Sequence, residues 1–166
     1  VNTAYSNANL LDSTAITQLI EETRRQLGSI DVLINNAGIQ YVSPIEDFPN
    51  EMYEKIIAIN MNAVFYACKA AWKHMKKQKF GRIINISSVH GIRASEFKSA
   101  YVTAKRGVVG MTKVMALEGA PYNITCNAIC PGYVKTPLVE NQIKDQAKAH
   151  QLSEDEVIEK IMLKKQ

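Results

Sequence analysis

At 166 residues, with 46% hydrophobic and 22% charged side chains, the chain has the balance of a folded domain with a packed core, which argues against a disordered protein. A net charge of +4 is too small for a dedicated nucleic-acid binder, and the densest cations, Lys73, Lys76, Lys77 and Lys79, fall where a helical pattern ends and complement its dipole. No apolar run has bilayer-spanning length, His74, His90 and His150 are too scattered for a metal site, and Cys68, Cys126 and Cys130 form no CxxC pair, which fits a reducing, cytoplasmic compartment.

In chain order, the first expected element is a strand around residues 1–10. A helix follows from about Ser13 to Leu27, with Asp12-Ser13 as its cap, and then a strand from Ile30 to Asn35 between Gly28 and Gly38. The apolar period next predicts a long helix from Asn50, as cap, to Lys77. Beyond Gly81 come a strand over Arg82 to Ser87, a helix over Ser99 to Glu118, and a strand over Ile124 to Ile129 that stops at Pro131-Gly132. From Pro137 no strong apolar face appears until Val157, Ile158, Ile161 and Met162, so residues 137–166 read as a mobile helical flap ending in a docked helix. Continuous apolar strands alternating with helices predict one α/β domain over 1–166, a doubly wound parallel sheet in three α/β/α layers.

The chemistry-bearing residues cluster at the predicted strand ends. Tyr101 and Lys105, four apart on a helix, share one face, and an ammonium beside a phenol favours the phenolate and lowers its pKa, making Tyr101 a candidate acid/base. Such a pair on its own is more often plain surface. Ser88 follows a strand, Asn35-Asn36-Ala37-Gly38 ends another, and Pro131-Gly132 ends a third, so three loops point at the crevice where open α/β sheets bind ligands. The blander readings are that Ser88 caps its loop and that Asn60 satisfies backbone groups at a helix irregularity.

Asn35-Asn36-Ala37-Gly38, Asn60, Ser88, Tyr101-Val-Thr-Ala-Lys105 and Pro131-Gly132-Tyr-Val-Lys-Thr136, in that order, resemble the motif set of the short-chain dehydrogenase/reductase family from end to end. The resemblance implies a Rossmann-like fold and hydride transfer with NAD. It makes Tyr101 the acid/base, has Ser88 polarise the substrate oxygen, has Lys105 tune the tyrosine and bind the nicotinamide ribose, and places Asn60 in a proton relay. It further implies that Asn36, Ala37 and Gly38 wall the adenosine ribose and that Pro131, Gly132, Val134 and Thr136 flank the nicotinamide. Asn9-Leu10 matches the adenine contact, with Asn9 standing where the family usually has an acid.

Within the family, Gln40, Ser88-Val-His90-Gly91, Lys98 and Gln142 resemble the D-3-hydroxybutyrate dehydrogenases, where the matching positions bind the substrate. A small hydroxy acid needs a cation and neutral donors around its carboxylate, and these side chains are of that kind. The blander reading leaves Lys98, His90 and Gln142 as ordinary loop and surface residues. The resemblance also implies a homotetramer. The family's glycine-rich phosphate turn has no counterpart from Val1 onward, and the pattern of strands reads as incomplete at both ends. The expectation is an incomplete stretch of a whole enzyme, the alternatives being another small hydroxy or keto substrate, or an inactive piece that serves only as an oligomerisation module.

Overall fold

The computed structural model describes residues 2–134 and 137–163. Its elements are α1 (Ser13–Leu27), β1 (Val32–Asn35), α2 (Asn50–Ile57), a π-helical turn (Ala58–Asn62), α3 (Ala63–Gln78), β2 (Gly81–Ile86), a short 3-10 turn (Val89–Gly91), α4 (Ser99–Gly119), β3 (Ile124–Ile129) and α5 (Pro137–His150). A single turn over Glu154–Glu156 then runs into a π-helical segment over Val157–Leu163.

Local chemistry accounts for several of these boundaries. Asp12 accepts a hydrogen bond from the Thr14 N–H at 2.8 Å and starts α1, which ends at Gly28 with φ 92°, a conformation glycine adopts without strain. Two expectations are corrected here. Residues 2–9 form no strand: Asn9 turns the chain instead, its Oδ1 accepting from Leu11 N–H and its carbonyl from Asp12 N–H, a local arrangement that competes with ladder pairing. The long helix is broken by the π turn over Ala58–Asn62, and Pro49 rather than Asn50 occupies its cap position, without a side-chain hydrogen bond.

The strands are parallel in the order β1-β2-β3, with Leu33 opposite Ile83 and Ile83 opposite Cys126. Ile83, Ile124 and Cys126 pack with Val64, Cys68, Ala71, Met75, Val108 and Met115 from α3 and α4, and Ile20 of α1 joins them. Side chains alternate across a strand, so the other face carries Val32, Ile34 and Ile129, which are 53%, 59% and 49% exposed. Of the three layers expected, the sheet and one covered face are thus seen among the described residues. Asn85 is fully buried within this core and satisfied there, accepting from Asn35 Nδ2 at 2.8 Å and donating to Thr112 Oγ1 at 2.9 Å.

After α5 the chain returns through a capping box at Ser153 and Glu156. Val157, Ile161 and Met162 are buried against Tyr133, Val139 and Ile143, so the flap docks on the loop after β3 by apolar contact. Ile158, expected on that apolar face, is exposed instead. Among the described residues no helix is long and apolar enough to cross a membrane.

Candidate active site

Parallel strands all end on one side, and the loops leaving β1, β2 and β3 enclose a cleft of about 550 Å³ together with α4 and α5. Asn36, Ala37 and Gly38 line it from the first loop, Ser88 and His90 from the second, Pro131, Gly132 and Val134 from the third, Tyr101 and Lys105 from α4, and Gln142 from α5. Tight packing fixes the second loop: a Cβ on Gly91 would stand 2.7 Å from Ser87 Oγ and 2.8 Å from Val109 Cγ2, so only glycine lets the 3-10 turn lie on α4. Ser87 adds a hydrogen bond to the Lys105 carbonyl at 3.0 Å, tying the end of β2 to the helix that carries Tyr101.

Lys105 is 4% exposed, and its ammonium donates to the Ile86 carbonyl at 2.8 Å while standing 5.5 Å from the centre of the Tyr101 ring. Burial pushes its pKa down to about 8, with a smaller opposing pull from Cys130. Tyr101 moves in the direction opposite to the sequence expectation. Its pKa is raised, because burial of the phenol outweighs the hydrogen bond from Ser88 that favours the phenolate. The Lys105 charge is engaged by a backbone carbonyl, and loss of water governs the phenol.

Asn60, 1% exposed, is not in the wall of the cleft. It sits behind Gly38, accepting from the Ile39 N–H at 2.9 Å and donating to the Ile39 carbonyl at 2.8 Å. The π turn turns this side chain toward the β1 loop, which it clamps.

Lys98 is 1% exposed. Its ammonium donates to Tyr133 Oη at 3.0 Å and to Gln142 Oε1 at 3.3 Å, no carboxylate pairs with it among the described residues, and burial pushes its pKa down to about 8. His90 Nδ1 lies 3.1 Å from Ser88 Oγ and its Nε2 lies 3.0 Å from Ser95 Oγ. Burial, and then the Lys98 charge, push the His90 pKa down to about 4, so the ring is neutral near pH 7. Gln40 does not line the cleft; its side-chain amide is buried without a protein partner among the described residues.

Asn9 and Leu10 lie apart from the cleft. Asn9 is exposed in its turn, while Leu10 packs against Ile16, Ala63 and Ala67 beside a smaller cavity of about 160 Å³ that shares Ala37 with the main one. Thr136 lies outside the described residues. Sequence reasoning missed Tyr133 and Ser95, which hold Lys98 and His90 in place. Tyr133 stands inside the quoted Pro131-Gly132 motif, where an aromatic with a polar tip was a readable signal, whereas nothing in the sequence marks Ser95.

The family model described as short chain dehydrogenase matches residues 1–147. A protein of Rhizobium meliloti (strain 1021) named D-beta-hydroxybutyrate dehydrogenase is 49% identical over 159 residues, covering 96% of this chain and 62% of the relative. One of the same name from Cupriavidus necator is 43% identical over 166 residues, covering 100% of this chain and 64% of the relative. Among solved structures, NAD+-bound xylitol dehydrogenase superposes with a TM-score of 0.83 at 34% identity, over 87% of this chain and 56% of the other. A gluconate 5-dehydrogenase from Burkholderia cenocepacia J2315 in complex with NADP and tartrate gives 0.78 at 33%, over 83% and 54%. The chain therefore spans somewhat less than two thirds of the length of these proteins.

Proposed function

The chain belongs to the short-chain dehydrogenase family, and from that premise we propose that it interconverts D-3-hydroxybutyrate and acetoacetate by hydride exchange with NAD. The observation that carries this reading is Lys98. A cation 1% exposed, held by two neutral oxygens and lacking a carboxylate partner among the described residues, is costly to bury unless an anion arrives to share the site. Lys98 is the N-cap residue of α4, three positions before Tyr101, and a short hydroxy acid is the class of substrate that would reach from one to the other.

In the oxidative direction, Ser88 and Tyr101 hold the substrate hydroxyl, and Tyr101 takes its proton as the hydride leaves the same carbon. Lys98, with Gln142, fixes the carboxylate; Gln40 and neutral His90 belong to the same polar end. The flap carrying Gln142 and Val139 closes the cleft against water. The nicotinamide half of a dinucleotide fits the cleft: Lys105 and Tyr101 offer a buried cation and a hydroxyl to a ribose, and Pro131-Gly132 offers a flat wall to a ring. When bound, the nicotinamide supplies the acceptor or donor of the hydride. Asn60 supports the Gly38 loop, Asn36 and Ala37 adjoin the adenosine side, and the family resemblance adds Thr136, Asn9 and Leu10. NAD rather than NADP is likewise inherited from the resemblance. The homotetramer belongs to the same proposal, and Phe65, Val114 and Leu117 on α3 and α4 provide exposed apolar surface for assembly to cover.

The test is NADH formation with D- and L-3-hydroxybutyrate, in parent and in Lys98→Ala. Turnover confined to the D acid, with a KM raised about a hundredfold in the variant at modest cost in kcat, is expected. Equal kinetics in the two proteins would remove the carboxylate assignment.

A further inference from the structure

Two enclosed side-chain amides, Gln40 and Gln146, border the segment that carries Lys98. Gln146 is 0% exposed, and neither its Oε1 nor its Nε2 has a partner among the described residues; the amide of Gln40 is likewise buried and unmet. A buried amide without hydrogen bonds costs stability, so such groups are rare in folded proteins unless something arrives to meet them.

Their positions follow from the contacts around Phe97 and Lys98. On one side, the Ser43 N–H donates to the Phe97 carbonyl at 3.0 Å and fastens the loop that follows Gln40. On the other side lies α5: Gln142 Oε1 accepts from Lys98 Nζ at 3.3 Å, and two turns later the His150 ring packs on Phe97 with centroids 4.6 Å apart. Gln146 stands midway, four residues after Gln142 and four before His150, so helical spacing puts it on the same face, against the same segment. Held from both sides, Phe97 keeps a left-handed φ of 63°, costly for an aromatic residue, and the turn carries the Lys98 side chain inward. Neither Gln40 nor Gln146 lines the main cleft, whose wall here is Tyr133 and Gln142, the two acceptors of the Lys98 ammonium. The unmet amides form a second layer around the cation.

An ammonium has three hydrogens, and Tyr133 and Gln142 take two. The third cannot satisfy a carboxylate alone, because the two carboxylate oxygens offer about four acceptor sites. Neutral amide N–H groups can supply the rest without adding a charge. We propose that Gln146, joined by Gln40, is a specificity-determining residue that donates to the substrate carboxylate at Lys98. The inference rests on the reading of Lys98 as the anion anchor and adds the neutral donors that complete it. Gln146 rides on the flap helix, so closure of the flap on an acid moves it together with Gln142. A carboxylate only accepts and therefore matches a set of donors, whereas an uncharged amide of the same shape, half donor itself, does not.

The experiment titrates the chain with acetate and follows Gln146 by NMR of amide-labelled glutamine, its resonance assigned with Gln146→Asn. The Gln146 resonance is expected to move with acetate in the parent and to stay still in Lys98→Ala. It should also stay still with acetamide, which has the shape of acetate and no charge. Gln146→Met keeps the length of the side chain and removes the amide. It should weaken acetate binding about tenfold while raising the denaturant midpoint, two effects of opposite sign that a merely structural amide would not produce together. An unmoved Gln146 resonance at saturating acetate, an equal response to acetamide, or unchanged acetate affinity in Gln146→Met would overturn the inference. Acetate that fails to bind the parent at all would strike the anchor reading of Lys98, and this inference with it. Turnover plays no part in the titration, so failure to oxidise any 3-hydroxy acid while acetate still moves Gln146 would strike the proposed function alone.

Discussion

Two ammonium groups lie buried at the start of α4, Lys98 and Lys105, 1% and 4% exposed, and burial pushes each to a pKa of about 8. Their surroundings differ. Lys105 grips the carbonyl of Ile86 at the end of a central strand, a partner that cannot move without the sheet. Lys98 grips two side chains, Tyr133 on the loop after β3 and Gln142 on the flap helix, both on segments held by apolar docking rather than by strand pairing. A cation on a rigid frame suits a group that must return to the same place in every cycle. One on adjustable side chains suits a partner that comes and goes, and its arrival can be felt by the flap.

That contrast can be broken at either lysine. The largest effect is expected from Lys105→Met, which removes the cation from beside Tyr101: kcat should fall about a thousandfold with a smaller change in the KM for the acid, read by steady-state kinetics. An effect confined to KM would mean that the two lysines do not divide the work as described.

Gln142→Glu comes next. It places a carboxylate where the Gln142 Oε1 now accepts from Lys98 at 3.3 Å, giving the ammonium an internal counter-ion that competes with substrate. KM for the acid should rise by about ten- to a hundredfold while cofactor affinity is unchanged, and titration of the variant with acetate should show weakened binding. A lowered KM would show that Lys98 is not where the anion sits.

The smallest effect concerns stability. The folded-state pKa of Lys98, about 8, lies below its ordinary 10.5, so between those values the unfolded chain binds more protons and stability rises with pH. The burden of the buried charge is complete below pH 8 and gone above 10.5. Lys98→Met should therefore raise stability at pH 7 by about 1 to 3 kcal/mol, with the gain fading as pH approaches 10, as measured by denaturant unfolding across that range. A gain that stays constant with pH would point to better packing by methionine instead of relief of charge.

The alternation of apolar runs with helical periods was enough to place β1, β2, β3, α1 and α4 within a few residues, since burial imposes those periods on any sequence that folds this way. What it could not show was competition between local and long-range partners. Residues 2–9 read as a strand, yet Asn9 closes a turn on itself. The long helix read as continuous, yet the peptide of Ile39, distant in sequence, holds Asn60 at the π turn. In the site, Ser88, Tyr101 and Lys105 were legible from spacing and family motifs, and the cleft brings them together. Ser95 was invisible, because a serine in a loop carries no pattern until its neighbours are known.

By itself, the sequence determined the class of fold, the strand-end position of the polar loops and the identity of the phenol and the two lysines, because periodicity and motif order are properties of the chain alone. Tertiary structure decided the rest: that burial raises the Tyr101 pKa where proximity to an ammonium suggested the opposite, that Lys98 is stripped of water, and that Tyr133 and Ser95 hold Lys98 and His90 in place. Desolvation and hydrogen-bond direction depend on everything surrounding a group in space, and segments far apart in the chain supply those surroundings.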